Sequence, residues 1–391
     1  MTKPYFTVAV IAHQPEPSLQ KTLNSISGQT FPDFECLMIV EDSSGRSFEI
    51  CKKMEYRDPR FRTVQLPESG SASASRNYAM AHAEGEYIAF LDGGDRFMPE
   101  MLERVYTANE KFRNLDIIQF TFQKVFQQPD GAFSAPQILS ELPPEAMNRL
   151  LTGPEMTLLT GTAGTVSGAT AVNVCRADFL RKNELYQNRG LDLEDFEWAF
   201  RCRYLAKRVV SLPDPLYVYC RRNDSGSGEN SPRFLFDVVR QFACVPPFIR
   251  KYRIPLSIQR IWANKWTFRI LEAFFDPRNN EKLTMADRKA AAKILFASGN
   301  AATLRRCARL ATLPKRIGMG VFLLSRYTGC SPRCSSFRKF TSRPSKENWR
   351  NENSALHCRH CASDGTKKGN ILIFHLYFCS YGANYLLNQD S

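Results

Sequence analysis

The 391-residue sequence has no apolar run near the ~18 residues that a membrane-spanning helix requires, so no helical span is expected. Its start, Met1-Thr2-Lys3-Pro4, lacks the basic head, apolar middle and small-residue cleavage site of a signal peptide, and export is not expected. There is no finger motif and no basic platform interleaved with aromatics, which argues against a nucleic-acid binder. Acidic residues fall short of basic ones, 39 against 53, giving a formal charge of +14 and a sequence pI of about 9.3. That excess predicts attraction to a polyanion such as a nucleotide, a nucleic acid or an acidic membrane face. Cysteine is not scarce, with 12 in all, but Cys36, Cys51, Cys175, Cys202, Cys220, Cys244 and Cys307 are scattered through ordinary globular sequence. Without an export signal they are expected to be reduced thiols in the cytoplasm.

What is present is core-forming sequence: 43% hydrophobic and 12% aromatic residues, enough for a large globular core. The length suggests two domains, or one large domain with extensions. Residues 6–12 form an apolar, β-branched strand, and residues 18–27 a helix with Leu19, Leu23 and Ile26 at helical spacing. A second buried strand, residues 36–40, runs into Glu41-Asp42-Ser43-Ser44-Gly45, and a third follows at residues 61–66. Residues 66–97 supply a small-residue loop, a helix carrying Arg76, a core strand at residues 87–91 and a carboxylate, Asp92, at its end. Gly93 and Gly94 then break the strand. The alternation of strand and helix, at about 25–35 residues per unit, predicts a parallel sheet with helices on both faces. Ligands of such sheets bind at the carboxyl ends of the strands. His13, Glu41-Asp42 and Asp92 all fall there.

Five segments between residues 3 and 227 resemble the family 2 glycosyltransferases of the GT-A fold. Val8 to Gln14 matches the opening strand and turn, and Val40-Glu41-Asp42-Ser43-Ser44 the Val-Asp-Asp-Gly-Ser box. Ser75-Arg76-Asn77, followed by Gly85-Glu86-Tyr87-Ile88-Ala89-Phe90-Leu91-Asp92, resembles the Ala-Arg-Asn and Gly-Glu-Tyr-Ile-Phe-Leu-Asp run. Leu193-Glu194-Asp195-Phe196-Glu197-Trp198 is similar to the Glu-Asp box. Pro215-Leu216-Tyr217-Val218-Tyr219-Cys220-Arg221-Arg222, on to Ser225-Gly226-Ser227, resembles the usual end of the catalytic domain. Together the five, in order and at normal spacing, are far more specific than any one alone.

The resemblance implies a Rossmann-like, mostly parallel sheet flanked by helices over residues 1–230. It implies transfer of a sugar with inversion, from a nucleotide-diphosphate donor of the UDP-sugar type to an acceptor hydroxyl of a surface polysaccharide or glycoconjugate. Asp42 would accept from the donor base. Arg76 would contact the nucleotide, His13 would stack on the base, and Arg222 (with Arg221) would lend positive charge to the leaving diphosphate. Asp92 matches the first Asp of the Asp-X-Asp element, which holds manganese or magnesium on the diphosphate. The second Asp is replaced by Gly94: either Asp95 reaches the metal as second ligand, or metal binding is weak, or a cationic side chain, Arg221 or Arg222, stands in for the metal. Asp195 is the expected general base. It lies among Asp192, Glu194 and Glu197, and such like charges with partial burial raise a carboxylate's pKa. Read without the family, the same acids are first-turn residues favoured by a helix dipole, and Asp42 is a turn residue. Trp198 is expected in the core.

Residues 231–328 read as a basic helical extension. Its apolar stretch 317–324, between Arg316 and Arg326, fits either a core helix or an interface beside anionic lipid. The latter would suit a lipid-linked acceptor and peripheral placement at the inner face of the cytoplasmic membrane. Residues 329–391 read as a poorly ordered, Cys-containing tail, whose thiol pairs are too loosely spaced to predict a zinc site. Gly94 also raises an alternative: a non-catalytic nucleotide-sugar-binding or scaffold protein.

Overall fold

The computed structural model describes residues 3–12, 18–41, 45–67, 71–128, 132–139, 142–162, 169–191, 194–221, 232–275, 283–296 and 298–311. The four apolar runs read from the sequence are strands β1 (Phe6–Ile11), β2 (Phe34–Val40), β3 (Phe61–Gln65) and β4 (Tyr87–Asp92). They pair in parallel in the order β3-β2-β1-β4. The connecting helices are α1 (Ser18–Ser27), α2 (Arg46–Arg57) and α3 (Ala72–His82).

Every residue of β1 is buried, as a strand covered on both faces must be. Alternate side chains serve opposite cores. Val8 and Val10 pack with Leu19, Leu23 and Ile26 of α1, while Ala9 packs with Ala79 and Met80 of α3. The buried face of α1 (Leu19, Thr22, Leu23, Ile26) repeats at the three-to-four spacing of an amphipathic helix.

The second half of the sheet is mixed rather than purely parallel. It is built from β5 (Arg96–Phe97), β6 (Ile117–Phe126), β7 (Gln137–Leu139), β8 (Asn173–Arg176) and β9 (Val209–Arg221). β8 lies antiparallel between β4 and β6, β9 is parallel to β6, and β5 and β7 pair antiparallel with β9 and β6. Between these strands lie α4 (Met101–Phe112), α5 (Gly153–Thr162), α6 (Ala177–Lys182) and α7 (Glu194–Leu205). The first residue of α5 rests on the end of α7: Gly153 N–H donates to the Ala206 carbonyl at 2.8 Å.

Four further helices follow: α8 (Pro232–Tyr252), α9 (Leu256–Phe275), α10 (Met285–Leu295) and α11 (Ser298–Leu310). The chain divides into two compact units, one of Met1–Glu229 with Phe236–Trp262, the other of Asn230–Leu235 with Ala263–Ser391. Within the first, Phe248, Ile254 and Ile258 pack with Phe200 and Tyr204 of α7. Within the second, Thr284 and Asp287 form a reciprocal cap at the start of α10.

The seven scattered cysteines are thiols outside any disulfide, all but Cys244 buried. Burial raises the Cys51 thiol to about 12, which makes it inert at neutral pH. No helix among the described residues is long and apolar enough to cross a membrane. The apolar stretch 317–324 and the tail from residue 329 lie outside the described residues.

Candidate active site

β4 carries Asp92 to the carboxyl edge of the sheet, where it pairs in register with Ile11, the last residue of β1. α3 points Arg76 at the same edge, and the arginine side chain is 5% exposed. Its Nη2 donates to Asp92 Oδ1 at 2.9 Å and its Nη1 to Asp195 Oδ1 at 2.7 Å. One buried cation therefore bridges two carboxylates that stand far apart in the sequence. Both acids keep a solvent-facing side, with side-chain exposures of 43% for Asp92 and 30% for Asp195. The planar fork of arginine suits this double role, with one Nη on each carboxylate. α3 is tied to the same edge by Ser75, whose hydroxyl donates to the buried Glu41 carboxylate at 2.5 Å.

Asp195 stands in the first turn of α7, and among the described residues its hydrogen-bond partners are donors; Asp192 and the Glu194 side chain lie outside the described residues. Glu197 turns away to Arg201 and Asn188. Asp195 instead meets donors: Arg76, the Thr170 hydroxyl at 2.5 Å, the Gln187 amide at 3.3 Å and the Thr170 backbone N–H at 3.3 Å. Trp198 is a core residue, edge-on to Phe90, and its ring N–H donates to the Leu185 carbonyl at 2.6 Å.

The turn after Asp92 explains the glycine at position 94. Gly94 has φ +106°, a conformation that a residue with a Cβ rarely adopts. The buried Thr22 hydroxyl clamps this turn, accepting from Gly94 N–H and donating to the Asp95 carbonyl, each at 2.8 Å. Past the turn, Asp95 faces into the sheet. Its Oδ2 accepts from the Tyr217 hydroxyl at 2.5 Å and its Oδ1 from the Cys220 backbone N–H at 2.8 Å. Burial, and then the nearby Asp95 and Asp92 carboxylates, push the Tyr217 hydroxyl well above its ordinary value, so it remains a donor. Both oxygens of the Asp95 carboxylate are thus engaged with β9, whereas Asp92 faces outward.

Among the described residues, no group of three or more His, Cys, Asp or Glu is placed to hold a metal ion. Asp92 presents an exposed carboxylate at this edge. A magnesium-type ion is commonly held by one or two carboxylates plus phosphate oxygens, so Asp92 fits as a single protein ligand. His13, Asp42 and Arg222 lie outside the described residues. Arg221 ends β9, exposed, in register with Phe126. Thr170 and Gln187 are marked by no motif. Their burial beside Asp195 is visible only in the folded chain.

The family model described as Glycosyl transferase family 2 matches residues 7–167. The glycosyltransferase EpsJ of Bacillus subtilis is 30% identical over 219 residues, 55% of this chain and 61% of EpsJ. The poly(ribitol-phosphate) beta-N-acetylglucosaminyltransferase TarS of Staphylococcus aureus is 25% identical over 246 residues, 61% of this chain and 40% of TarS. A crystal structure of S. aureus TarS in complex with UDP-GlcNAc superposes with a TM-score of 0.60 at 20% identity, covering 80% of this chain and 88% of that one. The TarS complex with UDP gives the same TM-score at 19% identity. This chain spans less than two thirds of the length of either curated relative named here. Residues 7–167 are thus similar to glycosyl transferase family 2, and the fold is that of the GT-A structures of TarS.

Proposed function

We propose that this protein is an inverting glycosyltransferase that moves a sugar from a UDP-sugar to a hydroxyl of a surface polysaccharide or glycoconjugate. The observation that carries this reading is the Arg76 bridge, which joins Asp92 and Asp195 at the carboxyl edge of the sheet. Likeness of fold to TarS, whose structures contain UDP and UDP-GlcNAc, supports uridine as the donor base. In the reaction, the acceptor oxygen attacks the anomeric carbon from the face opposite the diphosphate. The carbon–oxygen bond to the diphosphate breaks, UDP leaves, and the acceptor proton passes to the Asp195 carboxylate. Arg76 keeps the two carboxylates at fixed separation and orientation. A divalent ion held by Asp92 would supply positive charge to the departing diphosphate. Buried thiols outside any disulfide support a reducing, cytoplasmic setting, and peripheral contact with the membrane would follow from a lipid-linked acceptor.

A panel of UDP- and GDP-sugars, with and without manganese, followed by UDP or GDP release and by thermal shift, tests the proposal on the full-length chain. Turnover of at least one UDP-sugar is the expected result. Binding without turnover would establish a second reading, a non-catalytic nucleotide-sugar-binding or scaffold protein, which Gly94 and the engaged Asp95 favour. Neither binding nor turnover would sink both.

The two neighbouring acids should separate cleanly. Asp95→Ala leaves the Tyr217 hydroxyl and the Cys220 N–H buried without their acceptor, at about 1–3 kcal/mol each, and should lower the melting temperature. Asp92→Asn should leave the melting temperature nearly unchanged and raise the manganese concentration for half-maximal effect by about tenfold or more. Melting curves and manganese titrations of both variants check this. A manganese requirement that tracks Asp95 instead would refute the assignment.

A further inference from the structure

The two oxygens of Asp195 are treated differently. Oδ1 accepts from Arg76 Nη1 at 2.7 Å, from the Thr170 hydroxyl at 2.5 Å and from Gln187 Nε2 at 3.3 Å. Among the described residues, Oδ2 receives only a long contact, from the Thr170 backbone N–H at 3.3 Å. Gln187 Nε2 also donates to the Thr170 hydroxyl oxygen at 2.9 Å. That bond fixes the direction of the chain: Thr170 accepts from the amide and must give its own proton to the carboxylate. The reverse amide orientation would place a carbonyl oxygen against the carboxylate, which is repulsive, and would compete with it for the Thr170 proton.

Gln187 is itself anchored. Its backbone N–H donates to Asn77 Oδ1 at 2.7 Å, and Asn77 Nδ2 returns a bond to the Gln187 backbone carbonyl at 2.8 Å. Asn77 is next to Arg76 on α3, so one helix sets the position of two of the three donors. Thr170 is fully buried and Gln187 is 3% exposed. The Gln187 side-chain oxygen finds no partner among the described residues. Burying an amide with one end unpaired is costly, and an apolar side chain would fill the same space without that cost. Packing therefore does not explain the residue, whereas the bonds made by its other end do.

We propose that Thr170 and Gln187 are positioning residues for Asp195. Together they fix the rotation of its carboxylate and reserve Oδ2 for the proton of the acceptor hydroxyl. The proposal rests on the reading of Asp195 as the general base, and the test separates the two.

Thr170→Val, Thr170→Ser and Gln187→Leu are made in the full-length chain, and Thr170→Val is also made on an Asp195→Asn background. Steady-state transfer is measured with the UDP-sugar that the unmodified protein turns over. Thr170→Val should lower kcat about 10- to 100-fold with the donor KM within about threefold. Thr170→Ser, which keeps the hydroxyl, should restore kcat to within about threefold. On the Asp195→Asn background, Thr170→Val should cost less than about threefold, because residues acting through one group are not additive. If Thr170→Val does not fold, as judged by its melting curve, Gln187→Leu takes its place in both backgrounds. Equal losses in the two backgrounds, or unchanged kcat in Thr170→Val, would overturn the positioning role and leave Asp195 as the base. Unchanged kcat in Asp195→Asn alone, or no turnover by the unmodified protein, would overturn both.

Discussion

Asp195→Asn should reduce kcat for sugar transfer by about 10²- to 10⁴-fold, the usual contribution of a positioned general base. The substitution is nearly isosteric. The carbonyl oxygen of the new amide can still accept from Arg76 and from Thr170, which meet the present Oδ1 at 2.7 and 2.5 Å, so the site should keep its shape. The amide nitrogen, however, takes the place of Oδ2 and cannot accept a proton. Affinity for UDP should therefore change by no more than a few-fold, while the chemical step collapses. Steady-state kinetics beside titration calorimetry with UDP would read the two effects separately. A variant that transfers sugar at the normal rate would remove Asp195 from the reaction. One that loses UDP affinity in proportion to its rate would recast the residue as part of the donor pocket.

A large loss of stability is expected from Gly153→Ala, at a position with no side chain to lose. A Cβ at Gly153 would lie 1.4 Å from the Arg203 carbonyl oxygen and 3.0 Å from that of Ala206. Both are backbone atoms at the end of α7, so no rotamer change can make room. α5 and α7 would have to separate, breaking the bond from Gly153 N–H to the Ala206 carbonyl. Overpacking of a core typically costs about 1–3 kcal/mol, and a backbone-on-backbone collision belongs at or above the top of that range. For a unit of this size the melting temperature should drop by about 6–12 °C. Because α7 carries Asp195, activity below the melting range should fall as well. A melting temperature within about a degree of the unmodified protein would show that the two helices are less closely apposed than described.

How much of this is legible in the sequence differs between the two halves of the sheet. The first four strands are short, continuous apolar runs ended by polar or glycine-rich turns, and each lies within one or two residues of the bounds that the sequence suggests. The second half hides its strands. β9 contains Pro213 and Pro215, which ordinarily argue against a strand. The register shift against β6 around Thr121 accommodates them, with the Thr121 hydroxyl donating to the Pro213 carbonyl. β8 has four residues and runs antiparallel between β4 and β6, which strand–helix alternation cannot foretell.

The site divides in the same way. Arg76, Asp92 and Asp195 stand in motifs, and the fold brings them together. Asp95 stands beside them in sequence, but its carboxylate is engaged with β9. Its proximity to Asp92 suggests a shared ion, yet pairing of β5 with β9 turns its carboxylate inward. Thr170 and Gln187 carry no pattern, because a lone polar residue between elements becomes informative only when it is buried against a charge.

The burial of Arg76 also bears on how the protein should respond to ionic strength. Charges on the surface feel each other through a screening length of about 10 Å at 0.1 M salt, but an arginine side chain with 5% exposure has almost no counterions within reach. Added salt should therefore leave the bridge between the two carboxylates standing while it weakens capture of polyanionic substrates by the basic surface. Any sensitivity of turnover to salt would then report on encounter rather than on the Arg76 bridge.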